Sequence, residues 1–416
     1  MIPKMNAGTT GLFISLEESL RPLWMLTRYA GILLDWCNED KNRGRKTKII
    51  FFSLILLNWN LHVATIIYDL VELATEMTCS DFTLTHLFEH VMVIFLHLLN
   101  LLVQSHYLMK NSLYLSFFRE WGELKLSALK PKAINDLKRI IRATYSMYLI
   151  KICFSFMVLL ALPLYYGIPD LPFTFPLIKK HLGNNNKFLY YLLAFYEYGL
   201  LFLFVMINDV VPIFAYNYIG FTIKNLEVEI VEIFKRMLPT KSLMFNFRFT
   251  TKIRNCWMSY EIVHRFGNQA NRLFGFGFLA NQLILLIFVC STLYRVLDGL
   301  REGFKVRGSY IILLMDVYRC FIYSFRLIYI NLKLSTVLES TKQLRNRMAS
   351  LLIQHWEGMT EEEREIAMAL VNRLHQNPLA AAPLGLYNIS YSVFPILLSL
   401  IVSNVTILMQ SPVQVS

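Results

Sequence analysis

Polar and ionisable side chains recur inside the most apolar stretches of this chain, and their spacing is the first guide to its chemistry. His86, His90 and His97 share one face of any helix that contains them. Such a face can hold a metal ion between i and i+4 ligands or line a helix bundle. Bundle lining is the commoner outcome, so no metal site is expected. Further along come Lys151, Asp209, Asp316, Arg319 and Arg326, each within an apolar run. A charge at the centre of a bilayer costs several kcal/mol, so these groups must pair or face water. Asp316 and Arg319 stand three residues apart and can pair along one helix. Lys151 and Asp209 lie at similar depth in successive runs, which makes them a candidate interhelical pair.

Two groups of residues point to more than pairing. Glu89, His90, Glu197, Tyr198 and Asp316 approach one level near the outer ends of their runs. Acids among aromatics, open to the outside, suit a pocket for a small organic ligand. Tyr165, Tyr166, Tyr190 and Tyr310 lie closer to the run ends and read instead as an interfacial aromatic belt. Near the C-terminus, Ser403, Ile407, Gln410 and Ser411 follow i, i+4, i+7, i+8 spacing. That stripe suits close helix packing or a pore wall with an apolar constriction at Ile407. No nucleotide-binding, zinc-protease or hydrolase-elbow motif occurs, and no enzymatic activity or cofactor is expected. The six cysteines are scattered without C-x-x-C spacing.

The elements that must carry these residues are membrane helices. The 416 residues are 55% hydrophobic and 17% charged, with mean hydropathy +0.44. Soluble domains carry about 25% charged residues. Seven apolar runs are long enough to cross about 30 Å of hydrocarbon: 49–70, 83–109, 143–167, 188–214, 273–297, 309–330 and 386–409. The segment through Lys48 carries eight Lys and Arg, and the loops 110–142, 216–272 and 331–385 carry eight, nine and six. The loops 71–82, 168–186 and 298–308 carry none, two and three. Basic loops stay in the cytoplasm. The N-terminus and the three basic loops are therefore expected inside, and the C-terminus outside. This also accounts for the net charge of +12 without nucleic acid.

The inner loops have helical patterning of their own. The stretch 225–238, "NLEVEIVEIFKRML", spaces apolar residues at helical intervals. The stretch 360–374, "TEEEREIAMALVNRL", opens with Thr360 as an N-cap and acids in its first turn. Spans four to six are expected to continue into the cytoplasm as long helices that pack together, an anchor built from 216–272 and 331–385. The fold class is thus all-α: one polytopic domain over 1–416.

The last span adds a resemblance. Ser403-Asn404-Val405-Thr406-Ile407-Leu408-Met409-Gln410-Ser411 is similar to the Thr-Tyr, five apolar residues, Gln-Phe signature of the insect gustatory receptors. The glutamine is kept and Ser403 is a mild change. Asn404 replaces tyrosine, Thr406 interrupts the apolar five, and Ser411 replaces phenylalanine. The preceding "PLGLYNISYSVFPILLSLIVS", 383–403, resembles that family's lead into its last span.

The resemblance implies a chemosensory receptor in the plasma membrane of sensory neuron dendrites, acting as a ligand-gated non-selective cation channel. Four subunits, identical or mixed, would each give their last helix to a central pore for Na⁺, K⁺ and Ca²⁺. A small tastant, bitter or otherwise non-sugar, would bind among the outer halves of spans two to six. Ile407 and Ser411 would flank the gate, with Gln410 beside them. Two other classes compete. A G-protein-coupled receptor would place the N-terminus outside, against the charge distribution. A transporter could use Lys151, Asp209 and Asp316 as coupling groups, but it would be expected to show repeats or broken spans.

Overall fold

The computed structural model describes residues 44–78, 84–114, 116–117, 187–237, 243–302 and 309–410, with scattered single positions between 135 and 150. These residues form helices α1 (Gly44–Glu76), α2 (Leu84–Met109), α3 (Lys187–Met237), α4 (Leu243–Glu302), α5 (Ser309–His355), α6 (Glu361–Gln376) and α7 (Val393–Gln410). Two single 3₁₀ turns, Trp356–Gly358 and Pro383–Gly385, flank α6 on either side. No strand occurs among the described residues. The expected third span, 143–167 with Lys151, lies outside them apart from isolated positions.

Helix lengths divide the molecule. At 1.5 Å per residue, α4 with its 60 residues is about 90 Å long, and α3 and α5 are about 70 to 77 Å. Each is more than twice the hydrocarbon thickness. Each contains one expected span at one end and continues through a charged, amphipathic stretch at the other. α7 has 18 residues and measures about 27 Å, one bilayer and no more. Pro212 sits inside α3. Its missing N–H leaves the Asn208 carbonyl without the usual helical donor, next to the most polar layer of the core.

The helices α3, α4 and α5 pack on one another along their length. The antiparallel pair α1–α2 leans on α4 through α2, and α6 lies across α4 and α5. The turn at 383–385 and then α7 both rest on α4, which is the hub of the bundle. Two stacked aromatic pairs, Phe117 on Phe266 and Phe288 on Tyr323, contribute to this packing.

The α6 cap forms as its residues dictate. Thr360 N–H donates to Glu363 Oε2 at 2.8 Å, and Glu363 N–H donates back to Thr360 Oγ1 at 3.4 Å. This reciprocal box satisfies two helix-end donors that would otherwise lack partners.

Large apolar side chains are exposed on α1, α2 and α7. Phe52, Leu56, Val63, Ile67 and Val71 are exposed along α1, as are Leu98 and Leu102 on α2, and Ile396, Leu398 and Val402 on α7. Contiguous apolar surface of this kind is costly in water and is what lipid requires. Among the described residues, two helices contain apolar windows long enough to cross a membrane, Phe249–Leu297 and Asp316–Gly358, with shorter apolar helices at Val93–Met109 and Val393–Ile407. The chain is a membrane protein.

Candidate functional site

The polar residues of the core form a ladder between helices. Asp209 of α3 is fully buried and accepts from Arg326 of α5 twice, Nε at 2.9 Å and Nη2 at 2.6 Å. Its other oxygen accepts from Asn281 of α4. One carboxylate therefore ties α3, α4 and α5 together. Burial of a charge is tolerated only with such compensation. Among the described residues, Arg326 of α5 is a cation partner of Asp209; Lys151 lies outside them. On the adjacent rungs, Tyr107 donates to Asn208 at 2.7 Å and Asn331 donates to Gln282 at 2.8 Å. Gly277 is packed where a Cβ would lie 3.1 Å from Asn208 Oδ1 and 3.2 Å from Tyr107 Oη, so a side chain there would press on the Tyr107–Asn208 pair at the α2–α3–α4 contact.

The expected ligand-pocket residues are dispersed. Asp316 is buried on α5 between Arg319, at 3.2 Å, and Arg295 of α4, at 3.4 Å. The Asp316–Arg319 spacing is the one read from the sequence; Arg295 was overlooked, although its place at the end of the fifth apolar run was a signal. His90 turns toward α1, where it meets Asp69 at 3.5 Å and Glu76 at 3.3 Å. His97, on the same helix, instead meets His62 of α1, Nδ1 to Nδ1 at 2.6 Å. One of those rings donates and the other accepts. His90 and His97 therefore do not share an ion. The side chains of His86, Glu89, Glu197, Tyr198 and Tyr310 lie outside the described residues.

The lead into α7 is fixed by α4 and α5. Asn271 of α4 is the centre: its Nδ2 donates to the Ala380 carbonyl at 3.0 Å, and its Oδ1 accepts from Ala382 N–H at 2.8 Å and from Tyr216 Oη at 2.5 Å. Thr341 of α5 donates to the Leu379 carbonyl at 3.1 Å, and Tyr260 donates to the Asn377 carbonyl at 3.2 Å. Ile389 N–H closes back on the Ala381 carbonyl at 2.8 Å. Leu384 and Gly385 take positive φ values of 52° and 74°, turning the chain against α4. A Cβ at Gly275 would sit 2.4 Å from the Leu384 nitrogen. A side chain at Gly275 would require the backbone of the turn to shift, and the left-handed φ of Gly385 favours glycine there.

Near that lead, Arg373 of α6 forks onto Glu261 of α4, Nε to Oε1 at 2.6 Å and Nη2 to Oε2 at 3.0 Å. These bonds hold the Glu261 carboxyl below its usual range. Burial pushes the nearby Tyr260 hydroxyl and Cys256 thiol up to about 12, so both stay protonated and inert at neutral pH.

α7 itself is attached by one stripe. Leu397, Ile401 and Val405 pack toward α4, and Met409 is half-buried one turn on. The opposite side carries Ser399, Ser403, Thr406 and Gln410, all exposed, flanked by Ile396 and Ile407. Ile407 is 60% exposed. Of the four stripe residues predicted to line a pore or pack, Ser403 and Gln410 lie on this outward face and Ile407 on its edge. Ser411 is outside the described residues. Ser399 and Thr406 were missed, because the helical wheel alone does not show which side is packed. Two of the polar residues turn inward on the backbone: Thr406 Oγ1 donates to the Val402 carbonyl and Asn404 Nδ2 to the Leu400 carbonyl, each at 2.8 Å. Asn404 therefore satisfies itself within α7.

This arrangement has solved counterparts. The insect olfactory receptor OR5 from Machilis hrabei, in complex with eugenol, superposes with a TM-score of 0.68, covering 96% of this chain and 99% of that one at 14% identity. The same receptor described without that ligand gives 0.65 over the same coverage and identity. The fold is that of the insect olfactory receptors. At this identity the likeness concerns the fold alone. No protein-family model matches the chain, and no curated protein does.

Proposed function

We propose that the chain is a gustatory-type chemoreceptor subunit, a non-selective cation channel opened by a small organic tastant, with α7 as its pore helix. The carrying observation is the two-sided character of α7. A helix of one bilayer length packs by Leu397, Ile401 and Val405 and turns Ser399, Ser403, Thr406 and Gln410 away from its own subunit. A polar stripe directed at lipid is costly; directed at a shared axis, it lines an aqueous path. Four copies around such an axis would bring four stripes together, with a ring of Ile407 as the dewetting constriction.

The olfactory receptor fold supports a small-molecule receptor, since the superposing protein carries eugenol. The signature-like end of α7 supports the gustatory branch. Under this reading the ligand sits among the outer halves of the helices, where Asp316 lies between two arginines, and Asn271 and its neighbours transmit movement of α4 into the lead of α7. The protein resides in the plasma membrane of sensory dendrites and performs no catalytic step.

The test is whole-cell recording from cells expressing the chain, alone and with related subunits, against a tastant panel. Ser403→Cys should make the ligand-evoked current sensitive to a charged thiol reagent, and Ile407→Ala should raise leak in the absence of ligand. A thiol reagent without effect on Ser403→Cys, or an N-terminal tag exposed on intact cells, overturns the reading.

A further inference from the structure

The junction of α1 and α2 carries a cluster that neither the core nor the pore uses. Asp69, Glu72 and Glu76 lie on the last two turns of α1, and His90 faces them from the second turn of α2. One ligand atom each from Asp69, Glu72 and His90 lies within 4.8 Å of the others. The His90 ring is bracketed, Nδ1 3.5 Å from Asp69 Oδ1 and Nε2 3.3 Å from Glu76 Oε2. Among the described residues, no lysine or arginine pairs with any of the three acids, and the segment 71–82 contains neither residue type.

A second observation concerns Asp69 alone. It is only 2% exposed, yet its Oδ2 has no hydrogen-bond partner. A buried carboxylate oxygen without a donor costs a few kcal/mol, and a single imidazole does not balance three carboxylates. A divalent cation supplies both the missing partner and the missing charge.

We propose that Asp69, Glu72 and His90 form a zinc-class metal site that clips α1 to α2, with Glu76 either completing the shell or orienting His90. Zinc bonds carboxylate oxygen and imidazole nitrogen at about 2.0–2.2 Å, which sets neighbouring ligand atoms of a tetrahedral shell roughly 3.4 Å apart. The Asp69–His90 separation of 3.5 Å already meets this. Small side-chain rotations bring in Glu72, which accepts a 3.3 Å hydrogen bond from Tyr68. The half-exposed Glu76 at the end of α1 leaves a route for the ion. Imidazole with carboxylates favours Zn²⁺ over Ca²⁺ or Mg²⁺. Three of the ligating groups come from one helix and the fourth from its neighbour, so an ion here restrains the pair as a unit.

The test uses the full chain, purified in detergent and stripped with chelator, with zinc chloride as the probe. Zinc should raise the thermal midpoint and bind with one-to-one stoichiometry by calorimetry, while calcium at equal concentration should not. His90→Ala or Asp69→Asn should weaken zinc binding by about tenfold or more. His90→Cys, which offers another zinc-binding atom, should retain it even if His90→Ala folds poorly. Zinc binding that is absent in the wild type, or equal in wild type and His90→Ala, overturns the proposal. The first case would leave the cluster held by a proton shared between His90 and its carboxylates, and the second would place the bound zinc elsewhere in the chain. None of these readouts depends on ligand-gated current, so the site stands or falls separately from the channel.

Discussion

The crossing region of α3, α4 and α5 and the last helix α7 solve opposite problems with the same residue classes. In the first, buried polar groups reach across to other helices: Asp209 to Arg326 and Asn281, Asn331 to Gln282, Tyr107 to Asn208. In the second, the polar groups are exposed and reach nobody outside their own helix; Thr406 and Asn404 bond carbonyls one turn back. Cross-bonding fixes helices relative to one another, whereas self-bonding leaves a helix free to shift. The part that must not move is therefore stitched together by its amides and charges, and the part proposed to move is held by three or four apolar side chains and a tethered lead.

The sharpest way to break this contrast is to unpair the centre of the stitched region. Arg326→Ala leaves the fully buried Asp209 without its cation, which should cost about 3–5 kcal/mol. Thermal unfolding of the purified protein should show the loss, and surface expression should fall with it. A double variant, Asp209→Leu with Arg326→Met, removes both charges and should recover most of the stability. If Arg326→Ala unfolds like the wild type, α3 and α5 are not joined where Asp209 stands.

A smaller effect is expected at the boundary between the two regions. Gly275→Ala places a Cβ 2.4 Å from backbone at Leu384, which cannot rotate away. Gly267→Ala would meet the Leu379 Cδ1 at 2.6 Å, the far end of a flexible side chain. Gly275→Ala should therefore cost roughly 1–3 kcal/mol and Gly267→Ala less. Asn271→Ala leaves Tyr216, Ala382 and Ala380 without their shared partner and belongs with the larger effect, about 1–3 kcal/mol. If these changes alter ligand-evoked current more than thermal stability, the lead is a transmission element; the reverse order makes it a structural clamp.

On α7 the comparison predicts a split between readouts. Ser403→Ala and Ile407→Ala touch little within the subunit and should move the thermal midpoint by no more than about 0.5 kcal/mol equivalent. Their effect should appear in current instead. Val405→Ala, on the packed stripe, should do the opposite and lose about 0.5–1.5 kcal/mol. Equal destabilisation at Ile407 and Val405 would mean that α7 has no distinct outward face in the subunit.

How far the sequence could be read depended on whether a feature is local. The Thr360–Glu363 box and the long helices carrying the fourth to sixth apolar runs follow from neighbours in the chain, through capping and periodicity. Asp316 with Arg319 was legible for the same reason, being three residues apart on one helix. Partners across helices were not. Depth along a run offered Lys151, which lies outside the described residues, as a mate for Asp209, but depth says nothing of azimuth and did not point to Arg326, a cation that the bundle turns toward Asp209. Three histidines on one face read as the lining of a bundle, but the partners that His90 and His97 take lie on α1 and could not be named from their own helix. The outward face of α7 shifted by a fraction of a turn, from Ile407 and Ser411 toward Ser399 and Thr406, because only packing on α4 defines which side is free.

The least effect is expected where the Arg373–Glu261 fork joins α6 to α4. Both partners are partly exposed, so its contribution is screened to about 0.2–1 kcal/mol. Its sign with pH is nonetheless fixed. Hydrogen bonds from Arg373 lower the Glu261 pKa from an ordinary 4.5. A depressed carboxylate contributes fully above its ordinary value and loses that contribution as pH falls through the folded one. Arg373→Met should therefore be slightly less stable than wild type at neutral pH, and the two should converge below the ordinary carboxylate range. A gap in thermal midpoint that persists unchanged into that acid range would assign the fork's contribution to packing of the arginine stem, not to its charge.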